Sequence, residues 1–152
     1  MDILPRFGIR LFLQKALEKV TYLGMGPYES YSDLHCGSYV GLFETSAEDS
    51  YVDYIRPQEH GNHYGVKYLQ IGKLVFTAAQ GMEINVSRYS TDAISRAEHT
   101  DELVADGRIH LRLDYKVSGI GSNSCGPALA QAYRLEEKKI SFQFQMRPAI
   151  NK

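Results

Sequence analysis

Residues 65–89 read GVKYLQIGKLVFTAAQGMEINVSRY, and the reading of this stretch decides the fold class. GVKYLQIG and KLVFTAA are runs rich in β-formers, and Gly72-Lys73 between them suits a tight hairpin. After Gly81, the apolar Met82, Ile84 and Val86 alternate with Glu83, Asn85 and Ser87. That period of two is the mark of a strand with one apolar and one polar face.

The same pattern extends outward. RFGIRLFL (6–13) sets Phe7, Ile9, Leu11 and Leu13 against Arg6 and Arg10. KVTYLGMG (19–26) is rich in β-formers and stops at Pro27, which cannot continue a central strand. RIHLRLDYKV (108–117) alternates through Ile109, Leu111, Leu113 and Tyr115, and KISFQFQM (139–146) through Ile140, Phe142, Phe144 and Met146. One short helix is predicted after Ser90, which can cap it, with Asp92 near its positive end and Ile94 and Ala97 inward. A further turn of helix is predicted at LQKALEK (13–19). Turns bearing Gly, Asn, Asp or Ser recur at short intervals, which favours an antiparallel β-sandwich over a parallel α/β sheet. No repeat, low-complexity stretch or linker interrupts the chain, so residues 1–152 read as a single all-β unit.

Composition narrows the function. The chain has 152 residues, 43% of them hydrophobic, enough for one core. A net charge of −1 without a basic cluster argues against nucleic acid or an acidic membrane surface as partner. The N-terminal residues carry early charges and a proline instead of a signal peptide pattern, and no apolar run approaches the ~20 residues that span a bilayer. Cys36 and Cys125 are too few for a disulfide framework and read as thiols in a reducing, cytoplasmic setting. Tryptophan is absent against eleven tyrosines and six phenylalanines, so any aromatic platform for a sugar must be Tyr or Phe.

DYIRPQEHGNH (53–63) crowds Asp53, Arg56, Glu59, His60 and His63 together. A metal reading fails on spacing: H-E-x-x-H needs both histidines on one helical face, and Gly61-Asn62 opposes a helix. The stretch reads instead as a corner between strands in which Arg56 and Glu59 pair with each other or with backbone; no metal or other cofactor is expected. Glycoside hydrolysis needs two carboxyls about 5 to 9 Å apart. Glu29, Asp53, Glu59 and Asp114 sit among aromatic residues, yet spacing selects no pair. GMGPYESY (24–31) reads first as a turn whose Glu29 satisfies backbone donors, and otherwise offers Tyr28 or Tyr31 as stacking faces in a sugar groove. SGIGSNSCGPAL (118–129) lacks the Gly-Lys-Ser/Thr ending of a phosphate loop. Cys125 has no basic partner nearby to make it a nucleophile, so the segment reads as a ligand-facing loop on rigid strands.

Five segments carry a resemblance. LPRFGIRLFL (4–13), YLGMGPYESYSD (22–33), DYIRPQEHGNH (53–63), INVSRYSTDAISRAEHTDEL (84–103) and LDYKVSGIGSNSCGP (113–127) resemble, in this order, the large β-galactosidases of glycoside hydrolase family 2. The likeness is to the C-terminal part of their last domain, the small chain region. It implies the second half of an antiparallel supersandwich similar to galactose mutarotase. The family reaction it implies is retaining hydrolysis of terminal β-galactosides such as lactose. By the same resemblance both catalytic glutamates lie on a (β/α)₈ barrel elsewhere in the polypeptide; a barrel needs about 250 residues. The chain is then expected to hold no catalytic residue. The implied partners are the barrel and first half of the last domain, galactosides, and further copies of the chain. Where the family loop carries a tryptophan that stacks on the sugar, this sequence has Cys125, which lacks an extended π face. Asn123, Ser124 and Cys125, with Tyr28 or Tyr31, are the candidate substrate contacts. The family usually has Asn where His60 stands. Two other readings are a stand-alone galactoside-binding module and a mutarotase-like epimerase using His60 or His63.

Overall fold

The structure is a computed structural model and describes residues 3–121 and 127–149. Among these residues the strands, in chain order, are β1 (Arg6–Gln14), β2 (Lys19–Gly26), β3 (Tyr39–Ser46), β4 (Asn62–Ile71), β5 (Leu74–Ser87), β6 (Arg108–Val117) and β7 (Gln145–Pro148). They hydrogen-bond into one antiparallel sheet in the order β1-β6-β5-β4-β2-β3, with β7 laid beside β5. One short helix, α1 (Thr91–Arg96), and two 3-10 turns accompany the sheet. The architecture is all-β and consistent with the expected sandwich class.

Local chemistry accounts for the element boundaries. β2 ends at Pro27, which has no N–H for the ladder. Gly72 has φ +54, a left-handed conformation that glycine adopts without cost and that the two-residue hairpin requires. A side chain there would also strike Leu17, whose Cδ2 lies 2.5 Å from an ideal Cβ position. At α1, the Ser90 hydroxyl accepts from the Ala93 N–H at 3.0 Å, and Ile94 and Ala97 are buried as predicted. No described helix is long and apolar enough to cross a membrane.

The core is built from cross-strand rows. Tyr22, Leu69 and Phe76 are neighbours across β2, β4 and β5. Leu11, Leu111 and Val86 form a second row across β1, β6 and β5. Phe142 and Phe144 pack onto this cluster. Each fully buried side chain of this size contributes roughly 1.5–3 kcal/mol by removing apolar area from water.

The opposite face of β5 and β6 departs from a simple one-sided sheet. Glu83, Asn85 and Ser87 alternate with the core residues of β5 as predicted, yet none is more than 5% exposed; the same holds for His110, Arg112 and Asp114 of β6. Side chains and backbone from residues 59–62, α1 and Arg6 bond to this face. The sheet therefore has an apolar layer on one side and a buried polar layer on the other.

Two expectations need correction, and one strand is an addition to them. Of the predicted strand at 139–146, only residues 145 and 146 lie in β7; residues 139–144 are outside any strand, and Phe142 and Phe144 contact Tyr115 and Phe76, with ring centroids 6.2 and 6.3 Å apart. LQKALEK forms no helix: it closes β1, turns with Leu17 N–H donating to the Gln14 carbonyl at 2.9 Å, and opens β2. β3 was not anticipated. It is an edge strand that turns Phe43 toward the core and leaves apolar Val40 and Leu42 70% and 68% exposed on its other face, so apolar and polar residues do not alternate along it.

Candidate functional site

The loop singled out by sequence leaves the end of β6, and its first residues are firmly tied. Ser118 N–H donates to the Pro5 carbonyl at 2.9 Å, and Gly119 N–H to the Tyr133 carbonyl at 3.0 Å. The Ser118 hydroxyl donates to the Leu4 carbonyl at 2.7 Å and accepts from Leu135 N–H at 3.0 Å. Two concavities involve the end of β6 or the residues after it. One, of about 660 Å³, is bounded by Arg6, Glu59, Ile94, Leu129 and residues 118–120. The other, of about 490 Å³, is bounded by Tyr64, Glu83, Tyr115, Lys116 and Tyr133.

Beneath the stem runs the polar layer. Arg6 bridges Glu59 and Asp114, the latter at 3.0 Å. Arg112 donates to Thr91 Oγ1 at 3.0 Å and to Glu59 at 3.4 Å. Burial pushes the Asp114 carboxyl up against the opposing pull of Arg6 and Arg112, and burial pulls the Arg112 guanidinium down. Glu83 is pushed up to about 7 by burial, although Val117 N–H at 2.9 Å and Asn62 Nδ2 at 2.6 Å both donate to its carboxylate. Asn62 Nδ2 also donates to the Ser30 carbonyl at 2.9 Å, and Asn85 Nδ2 to the His60 carbonyl at 2.5 Å. Charges removed from water in this way need such partners to persist.

The four carboxylates considered for sugar cleavage are engaged in holding the fold. Glu29 accepts from the Tyr54 hydroxyl and, at 2.9 Å, from Gly61 N–H. Asp53 accepts from Thr100 Oγ1 at 2.9 Å. Glu59 and Asp114 belong to the arginine network. The expected pairing of Arg56 with Glu59 is not formed: Arg56 approaches Glu98 at 4.0 Å on the surface, because Glu59 turns inward to Arg6 and Arg112. His60 and His63 diverge across Gly61. His60 Nδ1 lies 2.7 Å from the Gln58 carbonyl and its ring meets Tyr51 edge-on. His63 stacks on Tyr22 with Nδ1 2.9 Å from the phenol oxygen, and burial pulls it down to about 4. Among the described residues no group of three or more His, Cys, Asp or Glu is placed to hold a metal ion.

Of the candidate substrate contacts, Tyr28 is 72% exposed. Tyr31 is 0% exposed and presents no ring face for stacking; its neighbours Ser30 and Asn62 are themselves buried. Asn123, Ser124 and Cys125 lie outside the described residues. Sequence reasoning passed over Glu83, the carboxyl most altered by its surroundings. The available signal was that β5 and β6 both carry complementary polar residues on the face away from the core.

The family described as "Beta galactosidase small chain" matches residues 1–146. A beta-galactosidase of Actinobacillus pleuropneumoniae is 43% identical over 146 residues, covering 96% of this chain and 14% of that protein. One from Staphylococcus xylosus is 40% identical over 148 residues, covering 95% and 15%. One from Kluyveromyces lactis is 35% identical over 149 residues, covering 93% and 14%. The chain thus spans about a seventh of the relatives it matches. With the fold and the matched span together, the chain belongs to the beta galactosidase small chain family.

Proposed function

We propose that this chain is the C-terminal portion of a β-galactosidase that hydrolyses terminal β-D-galactosides such as lactose by retention, and that it supplies structure and not catalytic glutamates. It is read as one unit, the second half of the last domain in a supersandwich, acting in the cytoplasm. The observation that carries this reading is the family match along residues 1–146 of a chain that covers only 14% of its relatives. Glu29, Glu59 and Asp114 are bonded to backbone N–H or arginine partners within the chain, which gives each a structural role. The chain forms part of the active-site wall through the loop after β6. Asn123, Ser124 and Cys125, with exposed Tyr28, meet the galactoside there. Its partners are the barrel and first half of the last domain, and further copies of the same polypeptide.

The test is reconstitution. The purified chain alone should release no nitrophenol from nitrophenyl β-galactoside. Added to a relative's enzyme lacking the matching stretch, it should restore turnover. Turnover by the chain alone, abolished by Glu59→Gln or Glu29→Gln, would overturn the reading.

A further inference from the structure

The ladder between β4 and β5 loses its register midway. β4 passes from Val66 to Tyr68 while β5 passes from Met82 to Thr77, and a second irregularity separates His63 from Val66. Extra residues of this kind bend a strand and disrupt the pairing beside it. Gly65 and Gly81 meet at the bend: a Cβ on Gly81 would lie 3.7 Å from Gly65 Cα. Neither carries a side chain, so the bend leaves the concavity of about 490 Å³ open above them. That volume falls within the range of small-molecule sites, about 300–1,000 Å³. Its aromatic walls are fixed by other contacts. Tyr64 of β4 stacks on His35 with ring centroids 5.5 Å apart, and Tyr115 of β6 meets Phe142 edge-on at 6.2 Å. Tyr133 ends a 3-10 turn (Gln131–Tyr133) and is 37% exposed at the rim. The segment bearing it is tied to β6, since Lys116 Nζ donates to the Arg134 carbonyl at 2.9 Å and to Glu137 at 3.1 Å.

The polar groups of this lining are matched to a neutral ligand. Among the described residues, the hydroxyls of Tyr64, Tyr115 and Tyr133 and the carboxamides of Gln80 and Gln143 make no hydrogen bond. Each Glu83 carboxylate oxygen accepts one bond, from Val117 N–H or Asn62 Nδ2, and keeps a second lone pair. Lys116, the cation of the lining, is taken up by Glu137 and the Arg134 carbonyl, which leaves no positive group for an anionic ligand. Aromatic faces remain, with groups that both donate and accept. A ring bearing several hydroxyls answers both, laying a C–H face on tyrosine and pairing its hydroxyls with phenol and carboxamide. We propose that this concavity binds a neutral polyhydroxylated ring, a sugar. Tyr64, Tyr115 and Tyr133 are its aromatic contacts, and Gln80, Gln143 and Glu83 its hydrogen-bond partners. The site needs no residue from a larger enzyme, so it is independent of the function proposed above.

Lactose titrated into the isotope-labelled chain, with amide shifts read by NMR, tests the site. Saturable shifts in the millimolar range should centre on Gly65, Gly81, Lys116 and Gln143. Tyr133→Ala should weaken binding about two- to tenfold by removing a ring. Tyr115→Phe should weaken it about two- to tenfold by removing a hydroxyl while keeping the ring against Phe142. Unchanged amide positions at Leu111 and Leu113 show that both variants keep the sheet. The absence of saturable shifts at those four amides, or parent affinity in both variants, overturns the site. Galactosamine tests the ligand class: if it binds more tightly than galactose, Glu83 and Glu137 select an ammonium and the neutral assignment falls. Binding lost in Tyr28→Ala and kept in Tyr133→Ala moves the sugar to the wall proposed above and overturns this site. Failure of the chain to restore turnover to a truncated relative refutes the function proposed above and leaves the titration as it was.

Discussion

Glu83 gives the sharpest test of the buried polar layer. Its side chain is 2% exposed, and burial lifts its carboxyl from the ordinary 4.5 up to about 7. The folded state then binds this proton more tightly than the unfolded chain does. The sign follows: the stability due to Glu83 is fully present below pH 4.5, falls as pH rises through the window up to about 7, and is flat above it. Each tenfold difference in proton affinity is worth about 1.4 kcal/mol, so the whole loss is about 3 kcal/mol. Other groups near it titrate too, Asp114 among them, so the wild-type curve alone is not diagnostic. The informative quantity is the difference between wild type and Glu83→Gln in urea unfolding, measured at steps from pH 4 to 8. The glutamine keeps an oxygen for Val117 N–H and removes the titration. Relative to the variant, wild type should lose about 3 kcal/mol across that window. Parallel curves, with a constant difference from pH 4.5 to 8, would refute the idea that Glu83 is buried and uncharged in acid.

Further outcomes follow from other parts of the fold. Leu111→Ala removes a fully buried side chain from the row shared with Leu11 and Val86 and should cost about 2–5 kcal/mol in urea unfolding. Arg112→Ala removes a buried guanidinium that bonds Thr91 and Glu59, leaving Glu59 to Arg6 alone, and should cost about 1.5–3 kcal/mol, and a loss below ~0.5 kcal/mol would mean that the arginine network is wet. The chain should run as a dimer on size exclusion, since edge strand β3 exposes Val40 and Leu42; Leu42→Glu should return it to a monomer, and a wild-type monomer would contradict this.

Where alternation met a clear terminator, the sequence was readable to the residue. β2 ended at Pro27, β6 ran from Arg108 to Val117, and Ser90 capped α1. Period two tells which residues share a face; it does not tell whether that face meets water. Glu83, Asn85, Arg112 and Asp114 looked like a solvent side because their cover comes from residues remote in the chain, such as Arg6, Glu59 and His60. The same limit hid β3, whose outer residues have no cover. Within the sugar-groove reading, Tyr28 and Tyr31 were equivalent as residue types, and only the reciprocal turn at 31–34 turned one inward and left the other out. Asp33 was visible only as part of a familiar string, since its carboxylate accepts from the Ile120 and Gly121 amides almost ninety positions away.

One flank of β5 is shared by two strands in succession: β6 over residues 83–87 and β7 over residues 74–77. The chain therefore departs from that flank at Val117 and rejoins the same flank at Gln145, so residues 118–144 are an excursion with both feet on one rail. Exchanging this excursion between relatives leaves every other strand pairing untouched. Changes in the length or course of this excursion therefore do not require the sheet to be re-threaded.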